Sequence, residues 1–409
     1  MLTHSRIALG TLVWLTLGGL AWWTAASGAE SRVVRSKRTV ARPAAVTKSP
    51  ISRPVAATTT HAVSEEVIDV DEPEFAEEAW MYEADCCADA CGVPACNLFG
   101  GGLWVDLDFL LWWRDQRNFP ALLTTQPANG VPPGATVLFG GDVDESARPG
   151  GRIELGLWLD PCQRTAVGVR YLAVADATTT LAYTSNDINF LARPFLDVST
   201  NPGTPTAFPV INAFAQPATT GRLGLQTESE FQAGDVFFAW TLRRSPCASF
   251  SFLAGYQMAQ IDESLLIESF TTDVPPQSIE VSDLFAAQNE FHGGMFGLRG
   301  EYRSGNFGVE LLGRFGFGNM RQSLLIAGST ISTDANGGTS VRDSGLLAQS
   351  LTNGGLHEQD KFSYMNEAGA KLSFYPLDCL KLSVGYSLMY WSSVVRPGQE
   401  IDTAIDGPC

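Results

Sequence analysis

The stretch Leu103-Trp104-Val105-Asp106-Leu107-Asp108-Phe109-Leu110-Leu111-Trp112-Trp113-Arg114 decides the fold. Taken two residues at a time, Leu103, Val105, Leu107, Phe109, Leu111 and Trp113 form one wholly apolar set, while Trp104, Asp106, Asp108, Leu110 and Trp112 form a mixed one. Successive side chains of a strand point to opposite faces, so this stretch predicts a strand with one apolar and one partly charged face. The alternation recurs at Ile153/Leu155/Leu157/Leu159, Val167/Val169/Tyr171 and Phe307/Val309/Leu311/Phe315/Phe317. It returns at Ala368/Ala370/Leu372/Phe374 and Leu380/Leu382/Val384/Tyr386/Leu388/Tyr390.

A soluble sandwich alternates too, and three features separate the cases. First, the opposite face carries charge in nearly every strand. By parity it holds Asp106, Asp108, Glu154, Glu228, Glu230, Glu301, Glu310 and Glu367, with Arg114, Arg152, Arg170, Arg299, Arg303, Arg314, Lys371 and Lys381. Second, Trp104 and Trp113 lie nine residues apart, close to the reach of a tilted strand across hydrocarbon. With Tyr386 and Tyr390 they predict aromatic girdles. Third, tight turns at Pro161-Cys162, Pro246-Cys247, 304–306 and 376–379 alternate with long connections at 118–150, 184–221, 271–288 and 331–360. Short turns on one side and long loops on the other are the pattern of an outer-membrane barrel. The fold read from these features is all-β, an antiparallel up-and-down transmembrane β-barrel over residues 99–396.

The strands counted are 102–114, 151–160, 164–182, 222–244, 248–270, 289–303, 306–329, 361–376 and 380–392. In 222–244 the apolar set moves from Leu223/Leu225 to Val236/Phe238/Trp240/Leu242, a parity change that predicts a bulge near Gly234. A true break there and another near Asn319 would raise the count to 12. Single-chain bacterial barrels have even strand numbers, so nine reads as one strand short of ten.

The chain has 409 residues and a net charge of −17, which excludes a nucleic-acid binder needing a basic face. Residues 1–29 read as an export signal: His4 and Arg6, then apolar Ile7–Trp23, then Ser27-Gly28-Ala29. Residues 30–98 read as a disordered low-complexity segment, basic from Arg32 to Arg53 and acidic from Glu65 to Glu78. This is a solvated linker, with a tether touching anionic partners as the alternative.

Several motifs resemble a planctomycete-type outer-membrane β-barrel family. They are Phe109-Leu110-Leu111-Trp112-Trp113, Phe119-Pro120-Ala121-Leu122-Leu123-Thr124-Thr125, Val137-Leu138-Phe139-Gly140-Gly141, Gly150-Gly151-Arg152 and Leu157-Trp158-Leu159-Asp160. Ala192-Arg193-Pro194-Phe195, Gly255-Tyr256 with Asp262-Glu263-Ser264-Leu265, and Asn289-Glu290-Phe291-His292-Gly293-Gly294 belong to the same set. So do Tyr390-Trp391-Ser392 and Val395-Arg396-Pro397-Gly398. The resemblance spans about residues 103–402 and implies an outer-membrane barrel of no established activity. It also implies a further aromatic-rich terminal strand, absent from the tail 397–409, which reads as a truncated external loop.

No catalytic motif stands out, and no cofactor or metal is expected. Cys86, Cys87, Cys91 and Cys96 suggest a metal site or disulfides; their spacing departs from paired C-x-x-C, and export favours disulfides. Cys162, Cys247 and Cys379 fall in the short turns, so disulfides from the cluster to these turns are one reading and incidental turn cysteines the other. His292 is the single histidine on a predicted strand, facing lipid near the external rim; a lipid hydrolase centred on it lacks an orienting partner. Gly293-Gly294 and Gly313–Gly318 lie inside strands and are not phosphate loops. The expected function is therefore a non-enzymatic outer-membrane barrel, structural or a narrow pore. Outer-membrane lipid and the barrel-assembly machinery are its expected partners. A surface adhesin with acidic, cation-binding loops is the alternative.

Overall fold

The structure, a computed structural model, describes the backbone of residues 5–14 and residues 102–405, apart from residues 116, 127–129, 144–145, 200–202 and 378–379. Among the described residues every long element is a strand, as the alternation requires. In chain order these are β1 (Ser5–Trp14), β2 (Leu103–Arg114), β3 (Arg117–Thr125), β4 (Thr136–Val143), β5 (Arg148–Trp158) and β6 (Thr165–Thr184). Next come β7 (Phe190–Asp197), β8 (Thr204–Asn212), β9 (Thr220–Arg244), β10 (Ala248–Thr272), β11 (Ser278–Ser304) and β12 (Phe307–Thr333). The last are β13 (Thr339–Arg342), β14 (Gly355–Leu377), β15 (Leu380–Val394) and β16 (Ala404–Ile405).

The large sheet is antiparallel and runs β2–β5–β6–β9–β10–β11–β12–β14–β15, the nine strands counted from the alternation. β2 and β15 do not pair with each other. β1 lies between them and pairs with both, so the circuit of hydrogen bonds closes with ten strands. The position that reads as missing is thus held by Ser5–Trp14, part of the stretch read as an export signal. The rest of that stretch, the 30–98 segment and its four cysteines lie outside the described residues. The connection 271–288 is not a long loop, because β10 runs to Thr272 and β11 starts at Ser278, and the other long connections hold short strands of their own.

β9 to β12 have 25 to 27 residues each, against the ~9–11 that span a bilayer, so their upper halves stand clear of hydrocarbon. The polarity of the two faces changes hands where they do. On β12, Phe307, Val309, Leu311, Phe315 and Phe317 are exposed on the outer face while Glu310 and Arg314 are buried inside. Past Phe317, Asn319 and Arg321 take the outer face, and Met320, Leu324 and Ile326 are buried inside. The change follows the register: Gln232, Gln260, Glu290, Arg321 and Asp360 are successive partners across β9, β10, β11, β12 and β14. Below this row the outside meets lipid and the inside carries charge. Above it Glu228, Asp262, Gln288 and Ser323 join the outer face, and Leu225, Leu265, Phe285 and Leu324 are buried within.

This inversion corrects the parity change expected in β9. Leu223 and Leu225 share a face with Phe231 and Phe237, all of them inside, and β9 pairs with β10 without interruption past Gly234. The irregularities of its two ladders fall between Phe250 and Ser251 on β10 and between Val174 and Ala177 on β6.

The apolar inner wall above the row requires an apolar cover, since burying a large aliphatic or aromatic side chain is worth ~1.5–3 kcal/mol. The cover is a second sheet in the order β16–β7–β3–β4, with β8 on β7. Phe119, Leu122, Leu123, Phe139, Leu191, Val210 and Ile211 from it form one core with Leu225, Leu265, Phe285, Leu324 and Ile326 of the wall. The connections 118–150 and 184–221 therefore fold inward and fill the mouth. Leu346, Leu347 and Ala348 join the same core. So do Val395 and Ile405, and β16 pairs parallel with Leu196–Asp197. The described part of the tail is thus mouth filling rather than an external loop.

Candidate functional site: the barrel interior

At membrane level the interior holds one continuous alternation of charge. It runs Asp106–Lys371–Asp108–Arg152–Glu367–Arg170–Asp235–Arg314–Glu154–Arg299–Glu310–Lys381, each neighbour an ion pair. The six carboxylates and six cations come from β2, β5, β6, β9, β11, β12, β14 and β15. The tightest links are Arg152–Asp108 at 2.5 Å, Arg170–Glu367 at 2.6 Å, Arg170–Asp235 at 2.7 Å and Arg299–Glu154 at 2.7 Å. Alternation explains why so many charges coexist away from water: each buried ion has an opposite neighbour on either side, and removing one strands its partners.

Apolar tiers close the chain from both ends. Toward the short turns, Trp104 and Trp158 pack at 5.1 Å between ring centroids, near Ala166, Phe237, Ala239, Leu253 and Met295. Phe237 carries the Arg314 and Arg299 guanidiniums on its ring at 5.2 and 5.9 Å. Above the charges, Leu110, Trp112, Phe231, Phe291, Met320, Met365, Met389 and Trp391 form a second buried tier. The cavity beside Arg152, Glu310, Glu367 and Lys371 is about 20 Å³, little more than the volume that admits one water.

A further charged level sits under the mouth sheet. Arg114 pairs with Glu263 at 2.5 Å, both almost fully buried. Asp283 receives the Arg193 guanidinium at 2.5 Å and the backbone N–H groups of Leu347 and Ala348 at 2.9 and 2.7 Å, joining β7 and the 346–348 segment to the wall. Asn289 exchanges two hydrogen bonds with the Val395 backbone, which pins the tail.

Of the charges read as lumenal, Asp106, Asp108, Arg152, Glu154, Arg170, Arg299, Glu310, Arg314, Glu367, Lys371 and Lys381 are brought together in the chain. Glu301 shares their parity but lies exposed at the turn-end rim. Glu228 and Glu230 do not belong: both are exposed on the outer face above the polar row. The expected bulge puts them on the wrong side; Asp235, not among the charges read as lumenal, is inside with the chain. Trp113, Tyr386 and Tyr390 are on the lipid face, Trp113 packing on Tyr386 and Tyr390 stacking on Tyr364. Trp104 is inside, because residues nine apart in a strand lie on opposite faces.

His292 is exposed on the outer face one step below the polar row, its Nδ1 3.0 Å from the Tyr256 hydroxyl. Cys162 and Cys247 lie at the short-turn end; Cys86, Cys87, Cys91, Cys96 and Cys379 lie outside the described residues. In the first turn Asp160 accepts from the Arg164 and Thr165 N–H groups and the Thr165 hydroxyl, and its pKa is held below the usual carboxylate value chiefly by the Arg164 N–H. No group of His, Cys, Asp and Glu side chains that could hold a metal occurs among the described residues.

Residues 104–408, the span of this strand and interior pattern, match the family described as "Putative beta barrel porin-7 (BBP7)". The chain belongs to that family. A comparison with curated proteins found no match. Among solved structures the chain is similar to the outer membrane protease OmpT from Escherichia coli, at 12% identity, over 71% of this chain and 92% of that one, with a TM-score of 0.23. A likeness at that score carries no argument.

The interior of this BBP7 barrel depends on close backbone approach at its lower tier. A Cβ on Gly156 would lie 1.9 Å from the Trp104 ring, and one on Gly168 would lie 2.4 Å from Phe237. Gly156→Val is therefore expected to cost about 1–3 kcal/mol through overpacking. Gly151→Val, where nothing lies within 4 Å of the added Cβ, serves as its control. Thermal unfolding in detergent checks the difference.

Proposed function

We propose that this barrel is a closed, structural element of the outer membrane with no catalytic role, anchored by lipid and sealed by its own side chains. The observation that carries this reading is the filled interior, an alternating ion-pair chain between two apolar tiers beneath a packed mouth sheet. Ten strands stand near the ~8 whose interior side chains fill, far from the ~16 that leave a channel. The lipid-facing aromatic and aliphatic band supports outer-membrane lipid as its surroundings, and such a barrel requires the assembly machinery for insertion. The net charge of −17 is against nucleic acid as a partner. A His292-centred hydrolase lacks support, since its ring contact is the Tyr256 hydroxyl and not a serine or carboxylate. Disulfides tying the N-terminal segment to the short-turn end, where Cys162 and Cys247 lie, are part of this reading. In a liposome-swelling assay the purified protein is expected to give solute entry no faster than empty liposomes. Swelling at porin-like rates with small sugars would refute closure.

A further inference from the structure

We propose that Ser5–Trp14 is kept in the assembled protein as the tenth wall strand, filling a seam one strand wide between β2 and β15. Its backbone is matched on both edges: Ile7–Trp14 against Val384–Trp391, and Leu9–Trp14 against Phe109–Arg114. Strand direction supplies a separate reason. Every neighbouring pair from β2 to β15 is antiparallel, so the first and ninth strands of that run point the same way. Direct closure would make them a parallel pair. β1 is antiparallel to both, which restores the alternation all the way round.

Solvent supplies the third reason. Phe109, Val384, Tyr386 and Leu388, which border the seam, are exposed on the lipid face, so an unfilled seam would open two rows of N–H and C=O groups to hydrocarbon. Each such group costs several kcal/mol, and the bilayer offers no water to satisfy it. Along β2 the pairing runs from Arg114, opposite Leu9, to Phe109 at mid-strand, opposite Trp14, so the chain leaves β1 heading toward the end where β2 begins at Leu103. The segment that reads as an export signal is then retained as structure, and the seam is a strand-acceptor site whose occupant is this chain's own N-terminal segment.

Two measurements on the full-length protein isolated from outer membranes test this. Peptide mass mapping of the unaltered protein is expected to recover residues 5–14 in a yield close to that of the β2 and β15 peptides. A chain found to begin at Glu30 overturns the proposal. In cysteine variants, Gly10→Cys with Leu388→Cys places two thiols at directly opposed positions and is expected to give a cross-link within one chain, assigned by mass among the native cysteines. Trp113→Cys with Leu388→Cys is expected to give none, since both are partners of Gly10 and stand two strand spacings, ~9.6 Å, apart, beyond the ~7 Å that a disulfide bridges. A cross-link in the Trp113→Cys/Leu388→Cys variant, with none in the Gly10→Cys/Leu388→Cys variant, would equally overturn it.

Discussion

Replacing Arg170 with Met is expected to destabilise the barrel by about 3–5 kcal/mol, the range for breaking a buried ion pair by removing one partner. Arg170 stands at the centre of the alternating chain, with Asp235 at 2.7 Å and Glu367 at 2.6 Å, and its side chain is only 4% exposed. Arg314 and Arg152 still reach those carboxylates after the change, at 2.8 and 3.2 Å, so the chain is expected to be weakened rather than severed. Arg321→Met is the external counterpart. Its ion pair with Glu358 is nearly as short, 2.9 Å, but the arginine is 59% exposed, and the expected cost is below about 1 kcal/mol. Pairing Arg170→Met with Glu367→Gln should cost less than the sum of the two, because one change relieves the charge stranded by the other. Urea unfolding in detergent reads all these variants; equal losses at Arg170 and Arg321 would contradict the account of the interior.

The second large effect is local. Asp283→Ala removes the acceptor shared by Arg193, Leu347 N–H and Ala348 N–H, leaving a fully buried guanidinium without its carboxylate. A loss of about 3 kcal/mol confined to the mouth raises its open population roughly a hundredfold. Limited proteolysis is therefore expected to cut within residues 190–212 and 343–354 about a hundred times faster. The barrel itself should keep its heat-modifiable mobility. Unchanged cleavage rates would show that the mouth sheet is not held by this residue.

The membrane-level wall was legible in the sequence because period-two alternation is a local property and hydrocarbon enforces it on every strand. Leu103–Trp113 alone carries the pattern, and the nine strand positions follow from its repeats. The interior charges were legible by the same parity wherever it was counted correctly. Glu228 and Glu230 are misplaced for a physical reason: above Gln232 and Gln260 the solvent outside changes from lipid to water, and the apolar set moves from the outer face to the inner without any change of register between β9 and β10 there. Leu223 and Leu225 then imitate a bulge. The mouth was illegible for another reason. Phe119, Leu191, Val210 and Ile405 lie on short strands that pack on wall residues distant in sequence, and Pro, Gly and Asn nearby read as loop chemistry. Arg193 and Asp283 are 90 residues apart, and no local pattern joins them. Tail residues such as Val395 carry too few alternations to show which way they face.

The most direct test of the central claim, that side chains fill this barrel from turn end to mouth, is the current through single molecules in a planar lipid bilayer. The purified wild-type protein is expected to insert without any steady open state above the membrane leak, at either polarity. Long-lived, uniform conductance steps of porin size from the unaltered protein would contradict it.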